Sequence, residues 1–166
     1  MPTFPIFLDI IAKCFVPIED RRAAGNEHWR SLAHQDDTLH NSGFSNITIV
    51  IVEDDADTRS SLTWFLRRQG AAVFGAANAS EGLQAVKEYH PNVVLSDINL
   101  GCRDGFELLG DIRALGTEQG GATPIIAMTA ISGLADQMIA AGFQGELKKP
   151  FRPEQLIEEI KLVLRD

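Results

Sequence analysis

Short apolar runs, each closed by polar residues, are the feature that most constrains the fold of this 166-residue chain. The clearest runs are Ile47–Val52, Asn92–Asp97 and Pro124–Thr129. A strand with one exposed face alternates apolar and polar residues, whereas a nearly continuous apolar run indicates a strand buried on both faces. Both faces are buried when helices cover both sides of a parallel sheet, so these runs predict an α/β fold.

Amphipathic segments with helical spacing separate the runs and predict the covering helices. We expect Asp57 to cap the first helix and Ser80 to cap the second. The fourth helix is expected to carry Leu134, Met138 and Ile139. Five strands alternating with five helices predict a flavodoxin-like doubly wound fold with strand order 2-1-3-4-5. Because crossover connections are right-handed, the carboxyl ends of all strands then lie at one edge of the sheet.

Charged and hydroxyl side chains follow four of these strands and would meet at that edge. Glu53 and Asp54 follow the first strand, and Asp97 ends the third. Thr129 ends the fourth, and Lys149 follows the fifth. Crowded carboxylates need a compensating cation, and Mg²⁺ favours a few carboxylates while keeping water and phosphate oxygens as ligands. An aspartate can accept a phosphoryl group covalently, with the lysine and the hydroxyl paired to phosphoryl oxygens. The sequence therefore predicts magnesium-dependent phosphoryl transfer to Asp97.

The first 45 residues differ from the rest. Met1–Pro17 is apolar but interrupted by Asp9 and Lys13, and no hydrophobic period holds from Ile18 to Ser45. We therefore divide the chain into an N-terminal extension, residues 1–45, and a folded domain, residues 46–166. The apolar Phe4–Val16 segment has three interpretations: a short helix docked on the domain or on a partner, an unfolded segment, or a leader upstream of the natural start. The extension also contains three histidines whose spacing matches no metal site: His28, His34 and His40.

Composition excludes several classes of function. The net charge of −8 and the lack of a basic run argue against direct binding of DNA. Cys14 and Cys102 are far apart, as expected for reduced thiols of a cytoplasmic protein. No apolar stretch is long enough to cross a membrane. We also expect no output domain after Leu164, and the extension is too short for an ordinary DNA-binding module.

Residues 46–166 resemble the receiver domain of two-component response regulators, and the acidic residues carry much of the resemblance. Glu53 and Asp54 correspond to the metal-binding acidic pair of that family, and Asp97 corresponds to its phosphoacceptor. Asn99 occupies the position whose backbone carbonyl binds the metal in the family. The resemblance thus implies a Mg²⁺ site made of these four residues.

The remaining family motifs lie near the fourth and fifth strands. Thr129 and Ala130 match the switch hydroxyl and its small neighbour, and Lys149-Pro150-Phe151 matches the lysine followed by a typically cis proline. The family implies a phosphoryl group taken from a sensor histidine kinase or a histidine phosphotransfer protein. It also implies slow, self-catalysed hydrolysis of the resulting acyl phosphate.

One position departs from the usual pattern of the family, and a second bears on the lifetime of the phosphorylated form. Glu146 stands where most receivers carry an aromatic residue or histidine that turns inward on activation. Because burying a charge is unfavourable, we expect the face formed by the last two helices and the strand between them to switch by charge or loop order instead. Ile131, two residues after Thr129, can shield an acyl phosphate and cannot orient a water. This position predicts a long-lived phosphorylated form.

The sequence therefore predicts a single-domain phosphoacceptor that signals through protein contacts or relays phosphate, and not a metabolic enzyme. The alternative is a pseudo-receiver that is never phosphorylated and acts as a constitutive interaction module. A hydrolase of the haloacid dehalogenase type would need a second aspartate two residues after Asp97, where Asn99 stands. A P-loop nucleotide switch would need a glycine-rich phosphate loop, which is absent from the sequence.

Overall fold

The structure, a computed structural model, describes residues 43–101 and 103–165. The predictions for the Phe4–Val16 segment, the three histidines of the extension and both cysteines lie outside these residues. The elements, in chain order, are β1 Thr48–Val52, α1 Ala56–Arg68, β2 Ala72–Ala76, α2 Ala79–Tyr89, β3 Val93–Asp97, β4 Asn99–Leu100, β5 Arg103–Asp104, α3 Gly105–Arg113, a 3-10 turn Thr117–Gln119, β6 Ile125–Thr129, α4 Ala135–Ala141, β7 Gly145–Lys148 and α5 Pro153–Val163.

Five strands form one parallel sheet in the order β2-β1-β3-β6-β7. Since β6 and β7 are its fourth and fifth strands along the chain, the predicted doubly wound order is confirmed. β4 and β5 were not predicted from the sequence; they form a separate antiparallel pair directly after β3. Strands of two residues are too short to produce a detectable hydrophobic period.

Both faces of the sheet are buried, as the continuous apolar runs predict. In β1, Ile49 and Ile51 point to one face and Val50 and Val52 to the other, because side chains alternate along a strand. One face packs against α1 and α5, through Leu62, Leu66, Leu156 and Ile160. The opposite face packs against α2, α3 and α4, through Val86, Leu108, Leu109, Ile112 and Met138.

The predicted caps of the first two helices are wrong by two residues. Asp55 caps α1, not Asp57, and its side chain accepts a hydrogen bond of 2.8 Å from the backbone N–H of Thr58. Asn78 caps α2, not Ser80. Both segments contain several good capping residues close together, and the sequence does not reveal which of them directly follows the strand.

The fourth helix carries Met138 and Ile139 as predicted, whereas Leu134 is the N-cap and lies just before the helix. Ile139 is 72% exposed, and Met138 is buried. The helix has only seven residues and is followed by Gly142. Two turns present one apolar stripe to the core, and Ile139 lies beside that stripe, since neighbouring helical residues do not share a face.

The described chain contributes to the core before β1 begins. Phe44 is 2% exposed, its N–H donates to the carbonyl oxygen of Gln69, and its own carbonyl accepts from the N–H of Ile47. Phe44 thus packs with the folded domain, although the predicted extension, residues 1–45, includes it. Within the described residues, no helix has both the length and the apolar character needed to cross a bilayer.

Candidate functional site

Three carboxylates meet where β1 and β3 end. The parallel register pairs Val52 with Ser96, so Glu53 and Asp97 occupy the next positions on adjacent strands. Oxygen atoms of Glu53, Asp54 and Asp97 all lie within 4.8 Å of one another. Glu53 is buried, Asp97 is half-buried and Asp54 is exposed. This set of oxygen ligands, open on one side to solvent, fits a hard divalent cation that keeps some of its water.

Lys149 brings a positive charge into this cluster from the end of β7. Its Nζ lies 2.7 Å from Glu53 Oε2 and 2.9 Å from Asp97 Oδ2. The peptide bond between Lys149 and Pro150 is cis, and the N–H of Lys149 donates to the carbonyl oxygen of Thr129. The ammonium group therefore bridges two of the three acids, and the carboxylate cluster is partly neutralised by the chain itself.

Burial and ion pairing shift the pKa of each partner, Glu53 and Lys149, in opposite directions. Burial raises the pKa of Glu53, and the hydrogen bond and positive charge of Lys149 act against that rise. Burial alone lowers the pKa of Lys149, but its hydrogen bonds to Glu53 and Asp97 outweigh that effect and its pKa is raised. Lys149 thus stays charged, since its two carboxylate partners favour the protonated form.

The chain directly after β3 also holds the side chain of Asp97 in place. The N–H of Asn99 donates to Asp97 Oδ1 at 3.1 Å, so both carboxylate oxygens of Asp97 accept a hydrogen bond. The turn into α3 passes so close to the end of β3 that a Cβ at Gly105 would lie 2.7 Å from the carbonyl oxygen of Asp97. Asp104 caps α3 in a capping box with Glu107. Glycine at position 105 allows this close approach and fixes the loop beside the site.

Thr129 lies at the end of β6, one strand beyond Asp97 in the sheet, and is 1% exposed. Its Oγ1 accepts a hydrogen bond of 3.0 Å from the N–H of Ile131. An accepting hydroxyl keeps its own proton to donate. Ala130 is exposed, and 56% of the surface of Ile131 is in contact with solvent.

Glu146 lies in the middle of β7, three residues before Lys149. It is half-buried and lines a cavity of about 270 Å³ between α4 and α5, with Met138 and Glu159. Its N–H donates to Glu159 Oε1 at 3.2 Å. The position predicted as a switch therefore lies on the face formed by α4, β7 and α5.

Two features of the site were not predicted from the sequence. One is the hydrogen bond from the N–H of Asn99 to Asp97, since the resemblance assigned only the carbonyl of Asn99. The other is Arg59, whose guanidinium donates to the carbonyl oxygens of Glu53 and Asp54. The sequence did contain a signal for Arg59. It lies one turn into a helix that begins beside the acidic pair, and a side chain at that position can reach back to the turn before the helix.

Comparison with known proteins agrees with this geometry. The family model of the response regulator receiver domain matches residues 49–161. An uncharacterized 14.6 kDa protein of Leptolyngbya boryana, named from the sodA1 3′ region, is 37% identical over 70% of this chain and 89% of its own length. The transcriptional regulatory protein GltR of Pseudomonas aeruginosa is 34% identical over 71% of this chain. The chain spans 49% of GltR, about half its length.

Among solved structures, the fold is similar to the receiver domain of the sensor histidine kinase PA1611 of Pseudomonas aeruginosa. The TM-score is 0.64 and the sequences are 27% identical, over 72% of this chain and 98% of the other. That structure contains a magnesium ion coordinated in its active-site cleft.

Proposed function

Because this chain belongs to the response regulator receiver domain family, we propose that Asp97 is its phosphoacceptor. The observation that carries the proposal is the convergence of Glu53, Asp54 and Asp97 within 4.8 Å, with Lys149 bonded to two of them. Such a cluster is unfavourable without a bound cation and suits the approach of an anionic phosphoryl group when a cation is present.

In this proposal, an oxygen of Asp97 attacks the phosphorus of a phosphohistidine on a sensor histidine kinase or a histidine phosphotransfer protein. An O–P bond forms and the N–P bond breaks, and the released imidazole nitrogen keeps the electron pair and takes up a proton. Mg²⁺, when bound, neutralises charge on the acids and on the transferred oxygens. Glu53, Asp54, Asp97 and the backbone carbonyl of Asn99 would hold it.

Two further side chains act after transfer. Lys149 is free to move from the carboxylate of Asp97 to a phosphoryl oxygen, because its ammonium is a compact charge on a flexible stem. The hydroxyl of Thr129 donates its proton to a second phosphoryl oxygen. Ala130 is too small to obstruct this movement. We propose that Ile131 then shields the acyl phosphate from water, which gives slow autodephosphorylation.

We propose that the output passes through protein contacts on the face formed by α4, β7 and α5, where Glu146 lines the cavity. Glu146→Ala should change phosphorylation-dependent binding of a downstream protein, because it removes a negative charge next to Glu159. The matched control is Glu118→Ala, which removes the same charge from an exposed position on the 3-10 turn Thr117–Gln119, outside this face. Unchanged binding by Glu146→Ala would exclude a charge role for this residue.

The predicted cytoplasmic location rests on the two isolated cysteines and stays a prediction.

The decisive experiment is labelling with a small phosphodonor. The full chain is incubated with acetyl phosphate and Mg²⁺, and intact mass is measured. We expect a gain of one phosphoryl group that disappears in Asp97→Asn and when Mg²⁺ is chelated, while Asp136→Asn, an exposed acid on α4, is labelled like the parent.

The second candidate is a pseudo-receiver that is never phosphorylated. The specific observation in its favour is Glu146, which replaces the usual aromatic residue or histidine at the switch position. The same experiment separates the two functions, because a pseudo-receiver gains no mass even with saturating phosphodonor and Mg²⁺.

A further inference from the structure

Arg59 on α1 contacts the backbone of both members of the acidic pair. Its Nη1 donates to the carbonyl oxygen of Glu53 at 2.5 Å and to that of Asp54 at 3.2 Å. Each of these carbonyls belongs to a residue whose carboxylate forms the metal cluster. A single guanidinium thus fixes two successive peptide groups of the turn between β1 and α1.

Other hydrogen bonds hold the two ends of this turn, where it joins α1 and where it leaves β1. The side chain of Asp55 caps α1 by accepting from the N–H of Thr58, and the N–H of Glu53 donates to the carbonyl oxygen of Ala76 on β2. Arg59 therefore holds the part of the turn that the cap and the sheet leave unsupported. Peptide orientation decides where a side chain points, so these bonds direct the carboxylates of Glu53 and Asp54.

The neighbouring strand provides room for this arginine. Gly75 lies on β2, and a Cβ at this position would lie 3.2 Å from both Cγ and Cδ of Arg59. That distance is shorter than ordinary van der Waals contact, so a larger side chain at position 75 has to push the stem of Arg59 aside. Gly75 consequently offers a way to displace the guanidinium without removing its charge.

Resting on the function proposed above, we propose that Arg59 is a positioning residue for the magnesium site. It acts through the backbone carbonyl oxygens of the acidic pair, whose carboxylates would hold a divalent cation. The charge of Arg59 alone would have the opposite effect, because a positive charge near the cluster repels Mg²⁺. Positioning by Arg59 should strengthen Mg²⁺ binding and its charge should weaken it. The change in Mg²⁺ affinity when Arg59 is replaced therefore tells the two effects apart.

The experiment titrates Mg²⁺ into the metal-free full chain and follows backbone amide shifts of Glu53, Asp54 and Asn99 by NMR. We expect Arg59→Gln and Gly75→Val each to weaken Mg²⁺ binding about tenfold, the lower end of the loss seen when groups that orient metal ligands are removed. The matched control is Arg68→Gln, which removes the same charge from the same helix, where Arg68 lies over the ring of Trp64 at 5.1 Å. Its affinity should equal that of the parent or be slightly higher.

Phosphorylation kinetics give a second measurement. In Arg59→Gln, the concentration of Mg²⁺ that gives half the maximal labelling rate should rise about tenfold, while the rate at saturating Mg²⁺ stays near that of the parent. A purely structural role would lower stability without moving the Mg²⁺ dependence in this way.

The outcomes are distinguishable. Equal or tighter Mg²⁺ binding by Arg59→Gln overturns the inference, and if that variant does not fold, parent-like binding by Gly75→Val does so. If the parent itself neither binds Mg²⁺ nor is labelled, the proposed function fails instead. If the parent binds Mg²⁺ and is labelled, but both variants bind Mg²⁺ equally well, the role of Arg59 is refuted and the proposed function stands.

Discussion

Replacing Lys149 by methionine keeps an apolar stem of similar length and removes the ammonium group from the carboxylate cluster. The lost contacts are those to Glu53 Oε2 at 2.7 Å and to Asp97 Oδ2 at 2.9 Å. Without Mg²⁺, the variant therefore retains three clustered acids and no bridging cation. We expect its free energy of unfolding to fall.

The magnitude follows from burial. Side-chain exposure is 2% for Glu53, 13% for Asp97 and 24% for Lys149. Removing one partner of a fully buried pair costs about 3–5 kcal/mol, whereas an exposed pair contributes about 0–1 kcal/mol. This partly exposed bridge lies between these limits, so we expect a loss of about 2 kcal/mol.

The loss should depend on pH. Burial raises the pKa of Glu53 above its ordinary value of 4.5, and Lys149 opposes the rise. Lys149→Met removes the hydrogen bond and the positive charge that lower the pKa of Glu53, so this pKa rises further in the folded state. A folded state that binds protons more readily than the unfolded state loses stability as pH rises. The loss should therefore be small at acid pH and complete once the pH exceeds the raised pKa of Glu53.

The assay is urea unfolding at mildly alkaline pH, with chelator and with saturating MgCl₂. Because Mg²⁺ and Lys149 compensate the same carboxylates, added Mg²⁺ should stabilise Lys149→Met more than it stabilises the parent. Lys148→Met is the control, since this neighbouring lysine is exposed on β7. Equal stability of Lys149→Met and Lys148→Met in chelator, or equal stabilisation of both variants by Mg²⁺, would show that Lys149 does not compensate the carboxylate cluster.

Three further predictions concern other parts of the domain. Ile131→Glu should lose its phosphoryl group faster than the parent in a dephosphorylation time course, and an unchanged rate would count against shielding. Arg113→Ala should lower the free energy of unfolding by about 2 kcal/mol, because Arg113 donates to the carbonyl oxygen of Thr123 and to Gln144 Oε1. Its labelling by acetyl phosphate should not change, and a reduced rate would contradict a purely structural role. Asp104→Ala should cost about 1 kcal/mol through loss of the α3 cap, and thermal unfolding beside an exposed-site control, Glu118→Gln, would measure it.

The fold and the chain order of the site residues were predictable because both depend on local patterns. Continuous apolar runs indicate strands buried on two sides, and a parallel α/β sheet brings their carboxyl ends to one edge. Asp97 and Thr129 end such runs, which is enough to place them at that edge. The short pair β4 and β5 has no such pattern, and the caps Asp55 and Asn78 compete with equally suitable neighbours.

The sequence by itself determined the alternation of strands and helices, the family and the residues that could form a phosphate site. Only the tertiary structure decided how these residues contact one another. Lys149 and Glu53 are 96 positions apart in the chain, and no local period relates residues so distant. Their contact exists because β3 and β6 lie between β1 and β7 in one parallel sheet whose strands end at the same edge. The hydrogen bonds of Arg59 likewise depend on the space left by Gly75 on β2. Periodicity reports which way a side chain faces, whereas the pairing of charges depends on distances that only the packed sheet establishes.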